Sequence, residues 1–444
     1  MNTIADTVPF DSGLERRLSR GRLAWAMFDW GQHAYWLLVA TFLFTPYFTS
    51  TVIGNPAAGQ TVMAYAGAIA GLAIAIGSPI AGALTDAYGA RRWLALLTVP
   101  FVLACGALWI AEPARPDMAL LIATCLVVAN VSTEIATAVA NALLPSLAKP
   151  GQVGRLSAFG WAMGYFGGLA SLILVLVCFT LPAHPLFGLD KALHQPERLT
   201  GPIAAIWYLI FGLPLLLLAP AKPVVRAADA APPLKELGAV LKSLPGRPII
   251  LRFLIGRMLV GDGVAAIVAF AGVLAGGMFH WGPTQLGLYG MLLSAAAGVG
   301  AITAGRIDDR LGSKPTTLAS AAVLTLGMLG MWLIGPDSNA AASAKGLFAT
   351  TPERAYLVAS FVLGLAFGPL QSSLRAWMAK LAPPEEAGRL FGLFTLSGKA
   401  SAFAAPLVIA IATQVTHQQK VAIIVAAVFV GCGCAVLAGV RSQH

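Results

Sequence analysis

The chain consists of long apolar stretches separated by short polar segments, and the apolar stretches have the length that crosses a membrane. A spanning helix needs about 20 mostly apolar residues. Windows of that length predict twelve spanning helices, at residues 23–48, 61–84, 93–111, 118–147, 155–181, 201–220, 249–276, 285–304, 316–335, 355–379, 389–414 and 421–440. Composition agrees, because 58% of the 444 residues are hydrophobic and 11% are charged. We therefore predict an all-α polytopic membrane protein whose apolar residues face lipid.

A short charged loop occurs twice, as GALTDAYGARR and, 223 residues later, as GRIDDRLGSKP. Its matched positions are Gly82, Asp86, Gly89 and Arg91 in the first copy and Gly305, Asp309, Gly312 and Lys314 in the second. A second match joins NALLPSLAKPGQVGRL (141–156) to RAWMAKLAPPEEAGRL (375–390) and aligns Gly154 and Arg155 with Gly388 and Arg389. All of these segments fall on the same side of the predicted membrane, which indicates two parallel repeats of six helices.

The segment 221–248 is rich in proline, alanine and basic residues and separates the two repeats. Within it, PLKELGAVLKSL favours an amphipathic helix on the inner membrane surface. The predicted division is an N-terminal segment 1–22, a six-helix half 23–220, the linker 221–248, a second half 249–440 and a tail 441–444.

Basic residues lie mainly on one side of the predicted membrane. Of 29 Lys and Arg residues, 19 fall on the side of the N-terminus, six on the other side and four inside spans. Because cytoplasmic loops carry an excess of Lys and Arg, both termini are predicted to be cytoplasmic. This topology explains the net charge of +10 without nucleic acid as a partner. The first 22 residues are polar and the first apolar run is too long for a signal peptide, so a retained first helix in the cell (inner) membrane is expected.

Several kinds of chemistry are not indicated. All five cysteines fall in apolar segments, which suggests neither a disulfide framework nor a zinc site. The Gly398-Lys399 dipeptide lacks the upstream spacing of a phosphate-binding loop, and Ala400 stands where such a loop needs Ser or Thr. The serines lack a nearby His and Asp arrangement, and no His and carboxylate cluster has metal-ligand spacing. We expect no enzymatic activity, metal or cofactor.

The duplicated loop resembles that of the major facilitator superfamily, G-x-x-x-D-x-x-G-x-[RK], and the resemblance spans the whole chain. Three stretches, WAMFDWGQHAYW, GRLSAFGWAMGYFGG and GPLQSSLRAWMAKLAPPEEAGRLFGLFTLSGKAS, resemble the unknown-major-facilitator branch, which includes the fungal vacuolar amino-acid effluxer linked to autophagy. The resemblance implies two six-helix repeats that work by alternating access on a small-molecule substrate, with export of amino acids or related metabolites favoured. Uptake of a sugar, peptide or cell-wall fragment is an alternative, as is a non-transporting sensor or scaffold. Protons are a candidate coupling ion, and a monomer in the lipid bilayer is expected.

Polar residues inside the spans point to the functional site, because a charged group facing lipid costs at least about 2.5 kcal/mol. Those on the first, fourth, seventh and tenth spans cluster on helical faces, and the resemblance implies that these spans line the central cavity. The candidate substrate or coupling-ion residues are Asp29, Gln32, His33, Asn130, Glu134, Asn141, Trp161, Tyr165, Arg257, Asp262, Gln371, Arg375 and Lys399.

Each candidate also has a plainer interpretation. Asp29 suits structural pairing as well as coupling, His33 could be a neutral core histidine, and Lys399 could be an interhelical tether. Glu134 lies mid-span in a polar stripe, and its structural alternative is an ion pair with a basic residue such as Arg257.

The loop residues are candidates for gating rather than substrate binding. The resemblance implies that the loop carboxylates lie at the positive N-terminus of a neighbouring helix and pair with basic groups in one state only. A solvated turn is the alternative. The gating candidates are Gly82, Asp86, Gly89, Arg91, Arg92, Gly305, Asp309, Gly312 and Lys314. In the fifth span, Gly160, Gly164 and Gly168 form a smooth face on which another helix can pack.

Overall fold

The computed structural model describes residues 12–218, 231–335 and 346–441. Parts of the predicted N-terminal segment (1–11), linker (219–230), outer loop (336–345) and tail (442–444) lie outside the described residues.

The described residues form helices and no strands. Before the linker these are α1 (Ser12–Ala34), α2 (Pro56–Tyr88), α3 (Ala90–Ala107), α4 (Ala119–Asn141), α5 (Val153–Val175) and α6 (Gln195–Leu218). After it come a linker helix (Pro233–Ser243), α7 (Pro248–Phe279), α8 (Pro283–Leu311), α9 (Ser313–Leu333), α10 (Thr351–Leu381), α11 in two segments (Ala387–Ser397 and Ala404–Thr416) and α12 (Val421–Ala438). We refer to α1–α6 as the N-terminal half and to α7–α12 as the C-terminal half.

Ten of the described helices are long and apolar enough to cross a membrane. The other two predicted spans are interrupted. The first continues beyond α1 as π-helical turns at Tyr35–Phe42 and Phe48–Val52 on either side of Pro46, which has no N–H to donate. The eleventh breaks between Ser397 and Ala404. The twelve predicted helical stretches are all present. The sequence predicted the first and eleventh as uninterrupted spans, and this was wrong.

Large apolar side chains cover the outside of the bundle, as expected for contact with lipid. Leu103, Leu120 and Leu333 are 67%, 80% and 76% exposed, respectively. Small residues instead occupy helix contacts: a Cβ on Gly167 would meet the backbone of Trp30, and one on Gly201 would meet the carbonyl of Cys105. Close backbone approach through small residues is the usual way in which membrane helices pack.

The two halves contact each other mainly through α5 with α8 and α2 with α11. At one end of the bundle, the α2–α3 turn meets the start of α11, the α8–α9 turn meets the start of α5, and the linker helix contacts α11. We call this end the linker face and the other end the opposite face. The first segment of α11 packs against α2, whereas the second segment packs against α12 and α7 and is largely exposed.

Candidate functional site

The duplicated loops make reciprocal contacts at the linker face. Asp86, at the end of α2, accepts hydrogen bonds from the backbone N–H groups of Gly388 (2.7 Å) and Arg389 (3.0 Å) in the first turn of α11. Asp309, at the end of α8, accepts them from Gly154 (2.9 Å) and Arg155 (3.3 Å) in the first turn of α5. Each half therefore caps a helix of the other half.

Charge strengthens both caps. A helix N-terminus carries a partial positive charge and unpaired N–H groups, which favour an anion. The side chains of Arg389 and Arg155 add ion pairs, each 3.1 Å from its aspartate, and the Asp86 and Asp309 side chains are 5% and 4% exposed. Each aspartate thus lies at a helix N-terminus beside a basic side chain, which is the arrangement that the resemblance implied.

Glycine allows the halves to approach this closely. A Cβ on Gly82 would collide with the carbonyl oxygen of Gly388, and a Cβ on Gly305 would lie 2.9 Å from the Cβ of Ala158. Gly89 and Gly312 immediately precede the next helices and have φ of 86° and 97°, a conformation that favours glycine.

Among the described residues, the other basic gating candidates take no part in these caps. Arg91 and Arg92 are exposed. Lys314 donates to the carbonyl of Val440 at the end of α12, inside its own half.

Beneath the linker face, Arg375 of α10 is inserted into the N-terminal half. Its Nη1 donates to Asp29 Oδ2 of α1 (2.8 Å) and to Asn141 Oδ1 of α4 (3.1 Å). Its Nε and Nη2 donate to Oγ and the carbonyl oxygen of Ser157 in α5, at 3.0 and 2.6 Å. All four hydrogen bonds cross between the halves, and the Asp29 and Arg375 side chains are 6% and 3% exposed.

Aromatic rings enclose the Arg375 guanidinium. Its carbon lies 4.6 Å from the ring centroid of Trp25 and 5.4 Å from that of Trp161, distances at which a cation is attracted to the π-face. Gly160 leaves room for it, since a Cβ there would lie 2.7 Å from Asp29 Oδ2 and 2.8 Å from Arg375 Nη2. We call this buried assembly the Arg375 lock.

The remaining candidates of α1 and α5 surround the lock. Gln32 donates to Asp29 Oδ1 (2.9 Å) and accepts a hydrogen bond from Thr137 (2.5 Å). His33 Nδ1 lies 2.8 Å from the Asp29 carbonyl oxygen. Its ring is edge-on to both Trp161 and Tyr165. The polar atoms of those two side chains are buried and have no hydrogen-bond partner in the part of the chain that the structure describes. Gly164 and Gly168 pack against His33, so α1 packs on the smooth glycine face that was predicted for α5.

A second inter-half ion pair lies deeper. Glu134 of α4 is seven residues before Asn141, about 10 Å further from the linker face at 1.5 Å per residue. Its Oε1 lies 2.7 Å from Lys399 Nζ, at the break in α11, and the two side chains are 19% and 28% exposed. The sequence offered Arg257 as the basic partner of Glu134, and the structure places Lys399 there instead. Lys399 is thus a tether between halves in this conformer.

Arg257 and Asp262 of α7 lie near this pair. The Arg257 guanidinium sits 4.2 Å from the ring centroid of Phe394 and against Gly398, where an added Cβ would collide with it. Asp262 is 1% exposed, and among the described residues neither of its carboxylate oxygens has a hydrogen-bond partner. Asn130 Oδ1 is likewise buried and unpaired, and Gln371 of α10 is half-buried one turn before Arg375.

Sequence reasoning missed several residues that complete the site. Ser157 and Trp25 hold Arg375, and Ser401 lies in the break of α11. Gly388 and Arg389 had a signal, because the second internal match aligned them with Gly154 and Arg155. The two internal matches are the two sides of the same reciprocal contact.

The linker helix reaches the same interface. Its Glu236 accepts from Arg389 (3.3 Å), and after it Arg247 pairs with Glu386 (2.5 Å) in the α10–α11 loop. Within the described part of the chain, no group of three or more His, Cys, Asp or Glu side chains could hold a metal ion.

Comparison with known proteins identifies the family. The family model described as "Vacuole effluxer Atg22 like" matches residues 49–444. This chain belongs to the Atg22-like family. It is 21% identical over 433 residues to an uncharacterized MFS-type transporter, YxiO, of Bacillus subtilis, and the match covers 96% of each chain. It is 26% identical over 276 residues to autophagy-related protein 22 of Cryptococcus neoformans, covering 60% of this chain and 46% of that protein. The match to this fungal member thus spans about half of its length.

Solved structures show the fold. The proton:xylose symporter XylE, of the major facilitator superfamily, superposes with a TM-score of 0.70 at 13% identity over 97% of both chains. A bacterial homologue of the iron transporter ferroportin in the outward-facing state gives a TM-score of 0.68 at 15% identity, covering 96% of this chain and 100% of that one. The chain is a multi-pass membrane transporter of the major facilitator type, with the predicted all-α fold.

Proposed function

We propose that this transporter exports small polar solutes, amino acids or related metabolites, by alternating access coupled to protons. The observation that carries the proposal is the reciprocal capping by Asp86 and Asp309, because these contacts join one half to the other and close the linker face in this conformer. Four layers of inter-half contact run inwards from the linker face: the two caps, the glycine contacts, the Arg375 lock and the Glu134–Lys399 pair. Opening this face requires all four to be released.

The buried Arg257 side chain supports a small polar solute that carries a carboxylate. Among the described residues, its Nη1 has no hydrogen-bond partner. Burying a polar group costs free energy unless the group gains a hydrogen-bond partner. An amino acid supplies a carboxylate for the Arg257 guanidinium. The family's description as effluxer-like favours export.

The proposed location is the cell membrane, with the protein acting as a monomer and the linker face in the cytoplasm. The excess of Lys and Arg on that side supports this orientation. The conformer is then closed towards the cytoplasm.

Counterflow in proteoliposomes tests the proposal. Vesicles preloaded with one unlabelled amino acid at a time should take up the labelled compound saturably, and a pH gradient should drive its accumulation. Protein-free vesicles are the control. Reagents that do not cross membranes should label a cysteine at Lys242 from the cytoplasmic side and one at Asp190 from the other. Absence of saturable exchange for every amino acid and related metabolite would refute the substrate class.

A further inference from the structure

Three carboxylates inside the spans are candidates to carry a proton, and the structure separates them. Asp29 lies 2.8 Å from Arg375, and Glu134 lies 2.7 Å from Lys399. Asp262 is 1% exposed and forms no ion pair or hydrogen bond among the described residues. Two of the carboxylates therefore have a cation as partner, and Asp262 does not.

An ionised carboxylate at Asp262 would be energetically unfavourable. Burying a charge without a partner costs so much that the group normally becomes neutral instead. Arg257, one and a half turns earlier on α7, is close enough to act on Asp262 electrostatically, but its guanidinium is held against Phe394 and Gly398 of α11. In this conformer, α11 keeps Arg257 from pairing with Asp262.

A hydroxyl group, that of Ser401, lies beside Asp262. Ser401 faces Asp262 from the break in α11, and its Oγ is also buried without a partner. One proton on the Asp262 carboxyl allows its O–H to donate to Ser401 Oγ. Either side chain can donate to the other, but only a proton on Asp262 also removes the buried charge.

We propose that Asp262 carries the exchangeable proton of the transport cycle, and that it is protonated in this conformer, which is closed at the linker face. When α11 moves away from α2, Arg257 is released from Phe394 and Gly398 and pairs with Asp262. The carboxyl O–H bond then breaks, the proton leaves to water on the open side, and the carboxylate keeps the electron pair beside the guanidinium. This inference rests on the proposed function and adds the identity of its coupling group.

The surroundings of Asp262 contain few competing charges. Arg257 on α7 and Ser401 on α11 are the groups that act on it, and Glu134 of α4 acts in turn on Arg257. On the side of α12, the adjacent Gly263 faces Ala426 and Val430. Among the described residues of α8 and α10, which also touch α7, no charged group acts on Asp262. Proton uptake at Asp262 is thus set by Arg257 and by the position of α11.

Infrared difference spectroscopy on the purified protein tests protonation without a substrate. Titration of the wild type should show the C=O stretch of a protonated carboxylic acid that persists at neutral pH. Asp262→Asn should lose this band, Asp262→Glu should keep it, and Ser401→Ala should shift its frequency because a hydrogen bond is lost. Asp190→Asn, in an exposed loop, makes the same chemical change and should leave the band unaltered.

Transport gives the second readout. In proteoliposomes, Asp262→Asn should retain substrate counterflow while accumulation driven by a pH gradient falls to the equilibrium level. Absence of the carboxylic acid band from the wild type at neutral pH, or its persistence in Asp262→Asn, would overturn the proposal. Thermal stabilisation by Na⁺ but not K⁺ at constant ionic strength would also overturn it in favour of a sodium site. A band assigned to Asp262, with no transport of any amino acid, would instead count against the proposed function alone.

Discussion

At the scale of single residues, the two inter-half ion pairs differ in their exposure. The Asp29 and Arg375 side chains are almost completely buried, whereas Glu134 and Lys399 are 19% and 28% exposed. Removing one member of a buried pair leaves an uncompensated charge, while removing both is far less costly. The two pairs should therefore respond differently to substitution.

Arg375→Met should lower the free energy of unfolding by about 3 kcal/mol, because Asp29 stays buried without its cation. The double variant Asp29→Asn, Arg375→Met should recover part of that loss. A double-mutant cycle on the detergent-solubilised protein, followed by denaturant unfolding, measures the coupling. Strictly additive effects of the two substitutions would show that the lock contributes no specific pairing.

Glu134→Gln should abolish or uncouple transport while the protein still inserts and folds, because the amide keeps the shape and loses the charge that holds Lys399. Flux against pH and the melting temperature should be measured on the same purified variant. Normal pH-dependent flux would show that Glu134 is not part of the transport site. A large fall in melting temperature would indicate a structural role.

The residue types of the site could be predicted from the sequence, but their partners could not. A polar stripe on α4 follows from the spacing of Asn130, Glu134 and Asn141. Which cation each acquires depends on how α10 and α11 approach from the other half. For this reason, Lys399 rather than Arg257 pairs with Glu134, and Arg375 lies in a lock.

At the scale of helices, the caps on α5 and α11 hold the linker face closed. Asp86→Asn should weaken this state, since a neutral amide loses both the interaction with the helix dipole and the ion pair with Arg389. Asp309→Asn should act similarly or more weakly, because its partner Arg155 is more exposed. A cysteine at Ala158, buried against Gly305 across the interface, should then be labelled faster.

Asp190→Asn is the matched control for these cap variants. Unchanged labelling of the Ala158 cysteine in the Asp86 variant, with transport intact, would exclude a gating role for the cap.

Two glycines of α2 provide a steric test with an internal control. A Cβ on Gly82 would collide with the Gly388 carbonyl, whereas one on Gly71 would meet nothing within 4 Å. Gly82→Ala should therefore open the linker face and increase labelling of the Ala158 cysteine, and Gly71→Ala should leave the labelling unchanged. Equal effects of the two variants would show that close contact of α2 with α11 is not what closes this face.

Most helix positions follow from apolar runs, but two interruptions do not. The residues between Ser397 and Ala404 include Gly398 and Lys399, which alone do not end a helix inside a membrane. The break coincides with tertiary contacts, because Arg257 packs against Gly398 and Glu134 pairs with Lys399. The break could not be predicted from a local window of sequence, because these contacts come from α7 and α4.

At the scale of the whole molecule, the internal repeats predicted the architecture and also marked the interface. Asp86 aligns with Asp309, and Gly388 and Arg389 align with Gly154 and Arg155. These pairs meet crosswise in the structure. The sequence could not indicate that the halves would be joined at the linker face in this conformer, since both conformers of an alternating-access protein use the same repeats.

The most direct test of this account is the distance between the halves at both ends, measured by pulsed electron paramagnetic resonance. In a variant without the five native cysteines, spin labels replace the exposed Arg91 and Glu385 at the linker face or Ala57 and Gln418 at the opposite face. As substrate and pH drive the cycle, the linker-face distance should lengthen while the opposite-face distance shortens. Distances that stay fixed at both ends, or that lengthen together, would contradict alternating access by this protein.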